Sequence, residues 1–368
     1  MTRHWAMSLW RLAGLRGGRD LGIRFNGTMT ATTSWNVTPL TEPLTREQVR
    51  AWRSEHRNVR FAASPWGALI AIPMVLFACG FLAIMTRGFT TLPGNGSPMF
   101  VLFPLVFIVV GVLTLVGGLR GMHGGTERLM RLVRFADANG FTFSARDATP
   151  SYPGMIFRIG RQQQALDHLM RRAPRFLDIG NFRYTTGSGK NKKTRTWGFM
   201  ALHLDRRVPH MLLDAKANNF LGSNLPAHFS KNQVLSLEGD FDQHFTLYCP
   251  REYERDALYV FTPDLMALLI DEAGAFDVEV IDDWMFVYSQ VPLRMGDAAP
   301  LMRMLRIVDT VGAKTVDRTD YYADERIGDR RVNIVAPQGA RLRRGISWAS
   351  IVIPIVVVAV WFAMSWMR

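Results

Sequence analysis

Three stretches without a single charged side chain constrain this chain more than anything else in it. They run from Trp66 to Thr86, from Met99 to Leu119 and from Ile346 to Met367. Each has about the length a helix needs to cross a hydrocarbon layer of roughly 30 Å. The 368-residue sequence therefore predicts three transmembrane helices, the first two forming a hairpin. The expected class is an α+β soluble domain attached to an α-helical membrane region. The expected divisions are a partly disordered N-terminal segment (1–60), the hairpin (65–119, with spans 66–86 and 99–119), an α+β domain (120–340) and a third span (346–367).

Arginine beside the windows predicts an orientation, because positive charge resists translocation. Arg46, Arg50, Arg53, Arg57 and Arg60 precede the first window, whereas the loop after it carries only Arg87. Arg120, Arg128, Arg131 and Arg134 follow the second, and Arg341, Arg343 and Arg344 precede the third, with Arg368 beyond it. The protein is thus expected in the cell membrane as a multi-pass protein. Its N-terminus and main domain would be cytoplasmic and its C-terminal tip outside.

The net charge of +13 suggests nucleic acid until it is divided. Residues 1–60 hold ten arginines against four acids, while residues 120–345 hold 32 basic and 27 acidic side chains. The central domain is only mildly basic. None of the three windows contains Asp, Glu, Lys, Arg or His, which leaves no proton relay or ion site within them. Pro73, Pro104 and Pro354 read as ordinary membrane-helix prolines. Cys79 and Cys249, one per segment, exclude an intradomain disulfide framework. Residues 1–28 lack the uninterrupted apolar run of a signal peptide, and Met29 offers an alternative start.

In the central domain, Leu129, Leu132, Val133 and Ala136 fall on one face of a predicted helix over 126–139. Arg128, Arg131 and Arg134 lie opposite and form a candidate membrane-surface contact. Phe182 and Tyr184 alternate with polar residues and Trp197–Leu204 is apolar, which predicts a hairpin between Ile179 and Leu204. Its tip contains Gly189-Lys190 but lacks a Walker A pattern, because Tyr184 stands at the first glycine position and Asn191 at the last. Thr262 as N-cap, Pro263 at the first position and Gly274 at the end delimit a helix. Val278–Ile281 and Trp284–Ser289 read as strands joined by a tight turn at Asp282-Asp283.

His203, Asp205 and His210 are the only compact set with metal-ligand chemistry, although Arg206 and Arg207 oppose a cation there. No metal and no cofactor is expected. The long irregular stretch 214–233 is the preferred partner surface, through Asn218, Asn219, Phe220 and Asn224. No nucleophile–base pair stands out, so no catalytic residue is assigned.

The run Gly239-Asp240-Phe241-Asp242-Gln243-His244-Phe245-Thr246-Leu247-Tyr248, with Ala257-Leu258, Thr262-Pro263-Asp264-Leu265-Met266 and Phe276-Asp277-Val278-Glu279-Val280, resembles a bacterial family of membrane proteins with a cytoplasmic domain of unknown function. The similarity lies mainly over residues 180–290. It implies a tethered domain and brings no catalytic signature.

The function expected is therefore a membrane-anchored module, not an enzyme, that binds another membrane or cytoplasmic protein or senses the lipid bilayer. Two rivals remain open. One is a membrane-bound metal-dependent hydrolase using His203, Asp205 and His210. The other is a nucleic-acid-binding protein using Arg171, Arg172, Arg175 and the Lys190–Lys193 loop, although no nucleic acid is the expected partner.

Overall fold

Strands whose successive side chains are buried on both sides generate a sheet with two different buried faces. The computed structural model describes residues 35–59, 125–148, 150–219, 223–237, 239–329 and 331–345, with isolated positions between 80 and 109 and between 358 and 365. The chain divides into Met1–Thr32 and Thr33–Arg368. The first unit lies outside the described residues.

The strands are β1 (Thr142–Ala148), β2 (Arg161–Arg171), β3 (Leu177–Thr186), β4 (Lys193–Ala215), β5 (Val234–Leu235), β6 (Phe245–Tyr248) and β7 (Asp277–Ser289). All pairings are antiparallel, in the order β1-β2-β3-β4-β6-β5, with β7 also on β4. β4 is the spine. Gly198–Leu202 pairs with both β3 and β7, and Leu212 and Leu213 pair with both β6 and β7. β3 and β6 therefore share one margin of β4 and β7 takes the other.

Successive side chains of a strand point to opposite faces. Met200, Leu202, Val278, Val280, Met285 and Val287 belong to one cluster, against which the helices Pro263–Ala273 and Ala298–Ile307 and the helix over 125–138 pack. The opposite face is aromatic. Phe182, Tyr184, Trp197, Phe199, Phe286 and Tyr288 lie beneath the short turn Met155–Arg158. Burying such rings contributes on the order of 2 kcal/mol each, before the entropy of ordering them.

Several expectations need correction. The α+β domain on a three-span membrane region gives way to a sheet-rich domain built on seven antiparallel strands. Among the described residues no helix is long and apolar enough to cross a membrane. The windows 66–86, 99–119 and 346–367 themselves lie outside the described residues, apart from isolated positions. The multi-pass placement in the cell membrane, with a cytoplasmic domain and an outer tip, is accordingly withdrawn. An uncharged apolar window states how much surface seeks burial. It does not state which phase buries that surface.

The Asp282-Asp283 turn is also overturned. β7 runs straight through both residues, with Asp282 at φ 54° where the pairing with β4 shifts register between His203 and Val208. The two aspartates mark a bulge, the device by which a long strand bends without ending. The segment after Thr319 is tied back onto the domain, with Tyr253 donating to Asp324 and Tyr322 to Asp256.

Candidate binding groove

β2 carries a register break that decides what stands above the aromatic face. Between the pairs Leu166–Asn181 and Leu169–Ile179, two residues, Asp167 and His168, oppose the single residue Gly180. Asp167 adopts φ 47°, a left-handed conformation that non-glycine residues rarely take. A Cβ at position 180 would stand 2.2 Å from the Cβ of His168. Glycine there makes room for the imidazole.

The imidazole sits 2.8 Å from a carboxylate on each side, Nδ1 to Asp178 Oδ1 and Nε2 to Asp147 Oδ2. With an acceptor at both ring nitrogens, the ring donates twice and is an imidazolium. Burial opposes that charge. The hydrogen bonds and charges of Asp178 and then Asp147 outweigh it and raise the His168 pKa above its usual value. Tyr152 donates its hydroxyl to the other oxygen of Asp178 at 2.7 Å. Burial, then the adjacent Asp178 charge, pushes the Tyr152 pKa well above the ordinary phenol range. Asp147, His168, Asp178 and Tyr152 form one continuous hydrogen-bonded chain. It has no free lone pair on the imidazole and no ionisable phenol at neutral pH, so it orients Tyr152 and offers no general base.

Tyr152 forms the shared wall of two cavities. The larger, about 930 Å³, is lined by Asp147, His168, Arg172, Arg175, Phe176 and Trp284 among others. The second, about 420 Å³, is lined by Arg158, Arg207, Asp282 and Asp283. Both include Pro150, Ser151, Tyr152 and Trp284, so the two adjoin at these residues and together make a two-lobed groove. Its floor is a cluster of half-buried rings. Tyr152 and Trp284 are 5.2 Å apart, Phe176 and Trp284 5.4 Å, and Tyr152 and Phe176 6.2 Å.

The rim is charged. Arg175 donates to the His203 carbonyl at 2.9 Å and to Asp205 at 2.6 Å. That guanidinium holds the Asp205 carboxyl below its ordinary pKa. His203 Nε2 lies 3.4 Å from Asp283.

A second buried network anchors the groove's wall. Glu279 accepts from His210 Nε2 at 2.7 Å, from the Tyr288 hydroxyl at 2.6 Å and from the Met155 amide at 2.8 Å. The Leu342 amide donates to His210 Nδ1 at 3.1 Å, which fixes the neutral Nε2–H tautomer. The Met155 bond holds the 150–158 segment against the sheet.

The structure scatters the residues singled out from sequence. His203 and Asp205 line the larger lobe, whereas His210 lines a third cavity with Arg341 and Leu342. Both nitrogens of His210 are taken by protein partners. Among the described residues no group of three or more His, Cys, Asp or Glu side chains could hold a metal ion.

Arg128 pairs with Asp297 at 3.2 Å, Arg131 with Glu127 at 2.7 Å and with the Leu40 carbonyl at 2.9 Å, and Arg134 is half-buried. Asn218 donates to Asp277 and Asn219 to Asp214, and the Asn224 amide donates to the Asn219 side chain. These amides are engaged by carboxylates of β4 and β7 and by one another, and Phe220 lies outside the described residues. Arg171 is buried, with its guanidinium 4.5 Å from the Trp35 ring centroid. Arg172 is exposed at the groove, and Lys190 and Lys192 lie at the exposed hairpin tip.

The groove residues Asp147, Tyr152, His168, Phe176, Asp178 and Trp284 were not singled out from sequence. The one available signal was a lone His or Asp set among apolar neighbours, as in Ala165-Leu166-Asp167-His168-Leu169-Met170 and Leu177-Asp178-Ile179.

No protein-family model matches the sequence, and no curated protein matches it. Neither comparison tests the resemblance of residues 180–290 to a bacterial family. Among solved structures, the crystal structure of the mycobacterial trehalose monomycolate transport factor A, TtfA, is similar over 48% of this chain and 92% of that one. The identity is 10% and the TM-score 0.31. A likeness that distant bears on neither the function nor the fold of this chain.

Proposed function

We propose that this protein is a binding module without catalytic activity, whose groove takes an extended segment of a partner protein. One observation carries the reading: a two-lobed groove floored by half-buried Tyr152, Phe176 and Trp284, in which the carboxylates and imidazoles around the rings are held by internal partners. Half-buried Trp and Tyr beside Arg is the composition of interface hot spots, where rigid rings bury area at small entropic cost. Pre-organised walls reduce the ordering cost of binding further. A catalytic site would instead present an uncommitted base or nucleophile within reach of a substrate.

The test is selection from a displayed library of random peptides with the full-length chain, followed by affinity measurement on the enriched sequences. Binding is expected to weaken about 100-fold in the Phe176→Ala/Trp284→Ala double variant, as for the loss of a hot spot. Enrichment of no peptide, or of peptides indifferent to the double variant, rejects the reading.

A further inference from the structure

The charges around the groove are unequally satisfied, and the inequality points to a partner. Every carboxylate lining it has a cationic or imidazole partner. Asp147 and Asp178 share His168, Asp205 holds Arg175, Asp282 holds Arg341 at 2.8 Å and Asp283 faces His203. Arg158, Arg172 and Arg207 also line the groove and are exposed, yet among the described residues none of their guanidinium groups forms an ion pair. Arg172 lines the larger lobe, Arg158 and Arg207 line the smaller, and Tyr152 and Trp284 line both.

Resting on the peptide-binding reading above, we infer that the groove's partner is an acidic peptide segment, whose apolar side chains lie on Tyr152, Phe176 and Trp284 and whose carboxylates meet Arg158, Arg172 and Arg207. An extended chain spaces its side chains by about 3.3 Å per residue. A short extended segment can therefore lay side chains on the rings while carrying carboxylates into both lobes. A nucleic acid fits less well. Its phosphates follow one another without interruption, and Asp147, Asp205 and Asp283 would repel those between the arginines.

The test uses the full-length chain and two labelled dozen-residue peptides, one of Glu, Asp, Leu and Phe, the other with every Glu and Asp replaced by Gln and Asn. A dozen-nucleotide single strand of DNA is the third probe. The acidic peptide is expected to bind about tenfold more tightly than its neutral twin, the yield of three exposed ion pairs. That advantage should shrink with added salt. It should vanish in the Arg158→Gln/Arg172→Gln/Arg207→Gln variant, while Trp284→Ala weakens both peptides alike.

Equal binding of the twins, with Trp284→Ala still weakening both, overturns the acidic partner and leaves the groove reading standing. If neither peptide binds, or Trp284→Ala changes neither, both readings fall. Tighter binding of the oligonucleotide than of the acidic peptide, lost in the triple arginine variant, replaces the peptide with a nucleic acid.

Discussion

Gly180 and His168 meet across the β2–β3 bulge so closely that a Cβ on the glycine would lie 2.2 Å from the Cβ of the histidine. The close approach is what allows a charged imidazole to sit between Asp147 and Asp178, and so sets the position of Tyr152 in the groove.

Gly180→Ala should destabilise the domain by about 1–3 kcal/mol, because the overlap involves backbone-anchored atoms that cannot rotate away. Urea unfolding of the variant beside the wild type measures the loss. A neutral result would mean that the bulge adapts freely and that Gly180 does not position His168.

His168→Gln should cost about 3–5 kcal/mol, since it leaves the Asp178 charge buried without its partner. The raised pKa of His168 gives the sign of the pH effect. Its stabilisation is fully present below its unfolded pKa of about 6.5 and is lost as pH rises through the higher folded value. Wild-type stability should therefore fall across mildly alkaline pH, and the variant should lack that fall. Parallel pH profiles for the two proteins would contradict the imidazolium assignment.

Asp277 titrates in a different window. It is fully buried near the Asp214 charge, and no hydrogen-bond partner reaches its Oδ2 among the described residues. Burial first, against the hydrogen bonds from Asn218 and the Ala215 amide, pushes its pKa up to about 7. The folded state thus holds a proton that the unfolded chain has already released, and stability declines as pH rises from about 4 to about 7. Asp277→Asn keeps an oxygen for Asn218 and the Ala215 amide, and should flatten the profile over that window alone. Carboxyl carbon NMR of Asp277 showing an ordinary acidic midpoint would defeat this account.

Cys249 is buried, and burial followed by the charges of Glu254, Asp256 and Glu252 pushes its thiol up to about 12. In a Cys79→Ser background, iodoacetamide at mildly alkaline pH should leave Cys249 unmodified until denaturant is added, because the thiolate is the reactive form. Mass spectrometry showing prompt alkylation of the native protein would contradict its burial.

Some of this architecture was legible from residues alone. Alternation at Phe182 and Tyr184, a polar tip and the apolar run from Trp197 identify the β3–β4 hairpin, because its side chains keep a strict period of two. Thr262 and Pro263 locate the start of the Pro263–Ala273 helix, although the Thr262 hydroxyl turns to Asp264 and leaves the helix amides uncapped by its side chain. β2 was not legible. Its bulge at Asp167 and His168 shifts the period midway, so Ala165, Leu166, Leu169 and Met170 take a spacing that suits one face of a helix and not a strand.

The groove was hidden for a related reason. Its walls come from β1, the 150–158 segment, β2, β3, β4 and β7, and no local spacing relates Asp147 to Trp284. The amino-acid order by itself determined the strands that keep their period and the helix whose ends carry Pro and Gly, since these depend on neighbours a few residues apart. Only the tertiary structure decided that Asp282-Asp283 continues a strand, that His210 faces Glu279, and that His168 is charged. Each of these depends on which distant carboxylate, amide or backbone stands beside the residue, and register pairing across the sheet supplies that neighbour.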